Sequence, residues 1–327
     1  MIEHVKTIAK QLLESGQITG FLSLKKEHGQ IGPHLFQSVD QLDYLCLGDT
    51  TGTENRESST EERYSGTVES KPEIETNRAS GKQENQSGAG KSRYPLNKIL
   101  VRISRNYPSD CFGILVRGCD ERGLKRLFAL NQLDPDKVVR VGIACPQDLA
   151  DECECLEPWP DKWVNDTEKT DGSEKEKIDG TEKSDKAPHE PVRQKLPCES
   201  VARLESLEAR DRFDWWMEHF ARCIKCYGCR DICPMCFCKE CSLQDDNLVR
   251  TGEIPPEYPV FHLARAVHMA ERCIDCGLCS EACPAAIPLR TLYKKAGDIM
   301  SNESGVRPGY SDLTPSDIGN LPQTGEY

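Results

Sequence analysis

The sequence predicts a chain of mixed class, α+β with an α/β element. A small N-terminal α/β domain built on a parallel βαβ unit is followed by a cysteine-rich domain of short helices and loops. Three observations carry this reading. Strand-like and helix-like patterns alternate over residues 112–144, two matching cysteine runs lie fifty residues apart after residue 220, and two long polar stretches separate the patterned parts. The 327 residues carry 42 basic and 54 acidic side chains, a net charge of −12. That balance is wrong for gripping a phosphate backbone, which needs clustered Lys and Arg. No run reaches the roughly 18 consecutive apolar residues of a membrane span.

Each element has a local cause. Val5, Ile8, Ala9, Leu12 and Leu13 recur at helical spacing, and Gly16 stops the helix. Ile18–Leu24 and Ile31–Phe36 read as a hairpin separated by residues 25–30. Leu96–Ile103 predicts a helix and Phe112–Val116 a short buried strand. Asp120–Leu133 predicts an amphipathic helix and, after a turn at Asp134-Pro135-Asp136, Val138–Ala144 a second strand. Strand–helix–strand of this length makes the strands parallel neighbours joined by a right-handed crossover. Arg117–Asp120 and Ala144–Pro146 then follow the carboxyl ends of adjacent strands, where open α/β sheets bind ligands. Cys119 and Cys145 stand in those loops; the plainer alternative is that they are small buried residues, as Cys46 and Cys111 are expected to be.

Residues 50–93 and 161–197 lack the apolar side chains needed to offset chain ordering. They read as a flexible insertion and an acidic flexible linker, the latter with the tandem Asp171-Gly172-Ser173-Glu174-Lys175 and Asp179-Gly180-Thr181-Glu182-Lys183. The expected organisation is therefore residues 1–49 with 94–160 as the N-terminal domain, 198–300 as the cysteine domain and 301–327 as a tail. The patterned residues suffice for two compact cores. Gly88-Ala89-Gly90-Lys91-Ser92 is not a phosphate loop, because Asn85 stands where the first glycine belongs and no strand precedes it.

The eighteen cysteines dominate the chemistry. The start Met1-Ile2-Glu3-His4 lacks the order of a secretory signal, so a reducing, cytoplasmic setting is expected, in which clustered cysteines bind metal more often than they pair. Cys223, Cys226, Cys229 and Cys233 with Pro234, and Cys273, Cys276, Cys279 and Cys283 with Pro284, both read C-x2-C-x2-C-x3-C-P, the bacterial two-cluster 4Fe-4S ferredoxin run. The fourth cysteine of each run serves the other cluster. One cluster is then expected on Cys223, Cys226, Cys229 and Cys283, and a second on Cys273, Cys276, Cys279 and Cys233. Paired C-x2-C units also make zinc ribbons, but zinc has no use for doubled four-cysteine runs with both prolines.

The remaining cysteines allow one or more additional 4Fe-4S clusters. Cys236, Cys238 and Cys241 supply three thiols and need a fourth; Cys145, Cys153, Cys155 and Cys198 make another set, with Cys119 near by in the same sheet-edge reading. Phe261–Ala270 predicts an amphipathic helix whose His262 and His268 pack or face solvent, and Trp215, Trp216 and Phe220 cover a cluster.

Arg117-Gly118-Cys119-Asp120-Glu121-Arg122-Gly123, the Val141–Pro146 segment and the paired runs resemble the beta subunits of deazaflavin-reducing hydrogenases and formate dehydrogenases. Among these the chain is most similar to the two-ferredoxin-motif relatives that accompany heterodisulfide-reductase-like complexes. The resemblance implies a flavin (FAD), electron transfer through 4Fe-4S centres, and partner subunits of hydrogenase, formate dehydrogenase or heterodisulfide-reductase type. The chain departs from it in lacking a G-x-G-x-x-G fingerprint and in a short N-terminal domain. No proton-transfer or nucleophile constellation is evident, so no catalytic residue is named. The expectation is an iron–sulfur electron-transfer subunit; the alternatives are a flavin-containing beta subunit that itself oxidises or reduces a deazaflavin, and, more remotely, a structural zinc module.

Overall fold

The computed structural model describes residues 1–48, 93–164, 198–250, 252–304 and 307–310. Most of both polar stretches, and of the tail, lies outside the described residues. The N-terminal part comprises α1 (Ile2–Glu14), β1 (Gly20–Glu27), β2 (Gln30–Phe36), β3 (Leu45–Cys46), α2 (Leu96–Asn106), β4 (Phe112–Val116), α3 (Gly118–Ala129), β5 (Val138–Gly142) and α4 (Gln147–Glu152). The cysteine part comprises α5 (Glu199–Glu205), α6 (Ala209–Ala221), α7 (Gly228–Asp231), α8 (Val260–Ala270), α9 (Leu278–Glu281) and α10 (Leu289–Ser304).

The sheet is mixed, in the order β2-β1-β4-β5, with β3 pairing β1 beyond the end of β4. β1 runs antiparallel to β2 and parallel to β4, and β4 and β5 are the expected parallel neighbours, joined by α3. Two boundaries differ from the sequence expectation for physical reasons. The hairpin strands run on through Lys25–Glu27 to a two-residue turn, because His28 and Gly29 both take positive φ, 50° and 77°. Helix α3 begins at Gly118 rather than Asp120, because the Asp120 carboxylate reaches back to accept from the Arg117 N–H at 3.1 Å, a capping interaction.

One face of the sheet buries Phe21, Leu115 and Val141 against Val5, Ala9 and Leu12 of α1. The other face packs Leu22, Leu24, Ile114 and Val116 against Leu96 and Leu100 of α2 and Leu124 and Leu127 of α3. This second core continues without a break into Phe220, Met235, Met269, Ile274 and Tyr293. The two patterned parts therefore share this core, with α3 meeting the cysteine part through Gly123 and through Arg122 and Arg126, which donate to the Ile274 and Glu271 carbonyls. Gly123 is what lets α3 sit so close: a Cβ there would lie 2.3 Å from Asn97 Nδ2 and 3.0 Å from Ile274 Cδ1.

Three segments placed outside the domains by composition are packed. Arg93 is buried, donating to the Cys276 carbonyl at 2.6 Å and pairing with Glu281. Trp163 and Val164 are buried, and the Val164 N–H donates to the Gly142 carbonyl. Tyr310 is half-buried over the Arg122 guanidinium, 4.5 Å from ring centroid to Cζ.

Candidate metal centre

The two cysteine runs adopt the same backbone. In the first, Lys225 and Tyr227 take positive φ and Gly228–Asp231 forms a four-residue helix; in the second, Asp275 and Gly277 take positive φ and Leu278–Glu281 forms the matching helix. Alternating left- and right-handed residues turn successive amide N–H groups to one side, the concavity that receives anions. Here the anion is sulfur. Lys225 N–H donates to Cys223 Sγ at 3.4 Å and Gly228 N–H to Cys226 Sγ at 3.5 Å. Asp275 and Leu278 do the same for Cys273 and Cys276, and Ile287 N–H donates to Cys283 Sγ at 3.5 Å.

Around these turns Cys223, Cys226 and Cys229 lie with Cys283 of the other run. Cys273, Cys276 and Cys279 lie together, and Cys233 of the first run faces Cys276. Burial opposes a bare thiolate at most of these sites. It pushes the Cys229 thiol up to about 11 and Cys273 up to about 12. A bound iron centre removes that opposition by supplying positive charge and displacing the protons. Thiols in two sets of four, with amide donors already aimed at sulfur, are the donor set a pair of 4Fe-4S centres requires.

Charged side chains complete the surroundings, and sequence reasoning missed them. Arg265 is buried between the two sets: its Nη2 donates to the Cys229 carbonyl at 2.9 Å and its Nη1 to Cys236 Sγ at 3.2 Å, and it also faces Cys233. Asp275 is buried beside Arg290 and Lys294, each at 3.1 Å. Only the alignment of the runs could have flagged it, since Lys225 holds the same position in the first run. His262 is buried in the packing expected of it, stacked on Phe220 with ring centroids 4.4 Å apart. Trp216 also packs on this core.

The insert cysteines are arranged differently. Cys236 is hydrogen-bonded to Cys233, and with Arg265 and Lys98 also present its thiol is held down to about 5. Arg272 donates to Cys238 Sγ at 3.3 Å, and Arg230 interacts with Cys241. All three line a cleft of about 690 Å³ whose wall includes Lys98, Arg102 and Arg105. At the sheet edge, Cys145, Cys153 and Cys155 form a small buried group, Cys119 lies at the start of α3, and Cys198 contacts Ser200 Oγ at 3.5 Å. The edge itself is closed to a nucleotide. A Cβ on Gly118 would lie 2.3 Å from the Glu157 carbonyl oxygen, so the loop after Cys155 covers the N-terminus of α3, where a pyrophosphate would sit. Cys46 is buried as expected, whereas Cys111 is only half-buried.

Comparison with known proteins agrees with this geometry. Residues 222–288 match the family model of a 4Fe-4S dicluster domain. The chain is similar to the F420-dependent formate dehydrogenase subunit beta of Methanocaldococcus jannaschii, 43% identical over 100 residues, which is 31% of this chain and 26% of that protein. It is also similar to the F420-dependent formate dehydrogenase 1 subunit beta of Methanococcus maripaludis, 45% identical over 104 residues, 32% of this chain and 27% of that protein. The chain thus spans about a quarter of the length of these relatives. The matches bear out the resemblance to the beta subunits over the matched residues and the reading of 4Fe-4S centres as cofactors.

Proposed function

We propose that this chain, carrying a 4Fe-4S dicluster domain and similar in part to formate dehydrogenase beta subunits, relays single electrons between partner subunits of a cytoplasmic anaerobic oxidoreductase complex. Formate dehydrogenase, hydrogenase and heterodisulfide-reductase types are the partners this reading admits. One centre is held by Cys223, Cys226, Cys229 and Cys283, the other by Cys273, Cys276, Cys279 and Cys233. The observation that carries the proposal is the exchange of the fourth cysteines: Cys283 lies with the first run and Cys233 faces the second. When bound, 4Fe-4S centres supply one-electron redox chemistry. The chain's own residues do the rest. Backbone amides donate to the sulfurs, Arg265 places a buried cation between the two sets, and Trp216, Phe220, Met235 and Tyr293 exclude water from that side. Among the described residues no helix is long and apolar enough to cross a membrane.

Exchange of ligands sets the test. Cys233→Ala should abolish the electron-spin signal of the centre nested in residues 273–279 and spare the one at 223–229. Loss of the first signal instead would refute the exchange. Cys236 lies against Cys233 and is the thiol best placed to substitute for it, so Cys233→Ala with Cys236→Ala should give the cleaner loss.

A flavin-bearing chain is a second reading with one observation behind it. The basic cleft beside the insert cysteines has the volume of a cofactor site. A yellow chromophore released from the anaerobically purified chain would favour it, and its absence after mild isolation would remove it.

A further inference from the structure

We propose that the basic cleft bounded by α2, α8 and the insert after Pro234 is the docking surface for a small acidic protein that carries a one-electron centre. The inference deepens the relay reading above and rests on it. Charge is the first observation. Seven Lys and Arg side chains line the cleft against three Asp and Glu, a surplus of four cations in a chain whose net charge is −12. Lys98, Arg102 and Arg105 recur at i, i+4 and i+7 along α2, so one helix face presents a row of like charges to the cleft. Arg102 and Lys239 are exposed and, among the described residues, pair with no carboxylate. Such a row repels itself until an acidic surface meets it, and it steers one in.

Access to the centres is the second observation. Cys236, on the cleft wall, is hydrogen-bonded to Cys233 of the second set. Its Sγ also accepts from Arg265 Nη1 at 3.2 Å, and the same guanidinium donates to the Cys229 carbonyl of the first set at 2.9 Å. The cleft therefore reaches a ligand residue of each set within one or two hydrogen bonds. The second run is otherwise interior, walled by α3 against Ile274 and by Arg93 on the Cys276 carbonyl.

The third observation favours a protein over a flat cofactor. Val260, Leu263 and Val267 share the solvent face of α8, 45%, 45% and 72% exposed, and the last of them lines the cleft. This apolar stripe runs about 10 Å along the helix, beyond the reach of a ligand seated in the cleft. Within the cleft, the Phe237 ring is already covered by the Arg272 guanidinium at 5.3 Å, which leaves that face closed to a stacked ring system. A cationic rim beside a short apolar stripe suits the small, charge-guided contacts of electron-transfer partners.

The test uses the full chain, purified anaerobically with its iron, and an acidic two-cluster ferredoxin as the probe. In the transfer step one electron leaves the reduced ferredoxin and reduces one centre of the chain, with no atom or proton exchanged. At low salt the oxidised ferredoxin should bind, and a basic c-type cytochrome should not. Arg102→Glu with Lys239→Glu should slow electron uptake about tenfold or more and weaken binding in step. At about 1 M salt, where charges are screened beyond about 3 Å, parent and variant should agree within about twofold. Leu263→Ser with Val267→Ser should weaken binding at both salts, because apolar contact is not screened. Lys10→Glu, the same charge change on α1 across the sheet, should behave as the parent. Every variant should keep both dicluster electron-spin signals. Uptake and binding unchanged in Arg102→Glu with Lys239→Glu, or cytochrome bound as tightly as ferredoxin, would overturn the docking surface and leave the relay reading standing. FAD retained by the parent and released from that variant would overturn it in favour of a cofactor cleft. Absence of both electron-spin signals in the parent would sink the relay reading, and the docking surface with it.

Discussion

The two cysteine runs are built alike and placed differently. In the first, Cys226 is exposed, Lys225 reaches out to the Arg250 carbonyl, and the basic cleft opens just beyond Pro234. In the second, Ile274 and Asp275 are buried, Arg93 donates to the Cys276 carbonyl, and α3 packs on Ile274. One backbone motif therefore furnishes a surface site and an interior site. What distinguishes them is the residue placed at each left-handed position, lysine in one and a doubly paired aspartate in the other.

Matched substitutions break this comparison where it is strongest. Asp275→Asn leaves Arg290 and Lys294 buried against a neutral group, and should destabilise the chain by about 3–5 kcal/mol. Lys225→Gln, at the equivalent half-buried position, should stay within about 0.5 kcal/mol. Anaerobic denaturant titration of both variants checks the contrast, and similar losses would erase the distinction. The same aspartate has an acid signature. Burial works against its charge, yet Arg290 and Lys294 hold its carboxyl below the usual carboxylate range. A depressed folded value contributes stability that is present above the unfolded pKa near 3.8 and lost as pH falls through the folded one. Asp275→Asn should lack that part of the acid dependence.

A smaller effect is expected at Gly277, with φ +76° and a hypothetical Cβ only 2.6 Å from Arg290 Nη1. Gly277→Ala should cost about 1–2 kcal/mol and loosen the Arg290–Asp275 pair. Tyr227 bears a side chain in the equivalent conformation and offsets that cost with its hydroxyl on the Leu243 carbonyl at 2.8 Å. If Tyr227→Gly proves more stable than the parent, that compensation is absent.

The smallest effect is at His262. Burial and, after it, Arg265 hold its pKa down to about 4. Between that value and 6.5 the unfolded chain binds a proton the folded chain refuses, so stability falls as pH drops through this window. His262→Phe, which keeps the stack on Phe220, should remove about 1 kcal/mol of that loss at pH 6. Parallel pH curves for parent and variant would contradict it.

Much of this was legible before any coordinate. The doubled spacing named the metal chemistry, and the apolar runs at 112–116 and 138–142 gave the parallel pair. The hidden features share a cause, because each depends on residues whose partners are far away in sequence. Arg93 follows a long polar stretch and its composition gave no hint of burial; its partners are Cys276 and Glu281. Tyr310 falls in a stretch that read as a tail, yet covers Arg122. Lys225 and Asp275 carry no glycine to announce a left-handed backbone. Arg265 looks like an ordinary polar position of an amphipathic helix until α8 is docked and its guanidinium meets sulfur on the first run.

The shared core has a consequence for how the chain is made. Leu22, Leu24, Ile114 and Val116 emerge from the ribosome well before Phe220, Ile274 and Tyr293, which complete the wall they pack against. The sheet must hold part of its apolar face uncovered until the cysteine runs are synthesised and closed, and closure there depends on acquiring iron. Metal supply thus bears on the maturation of this face of the sheet as well as of the cysteine runs. A cell short of iron would accumulate a chain with sticky, unfinished β-structure, a substrate for chaperones and proteases, rather than an intact scaffold with vacant centres.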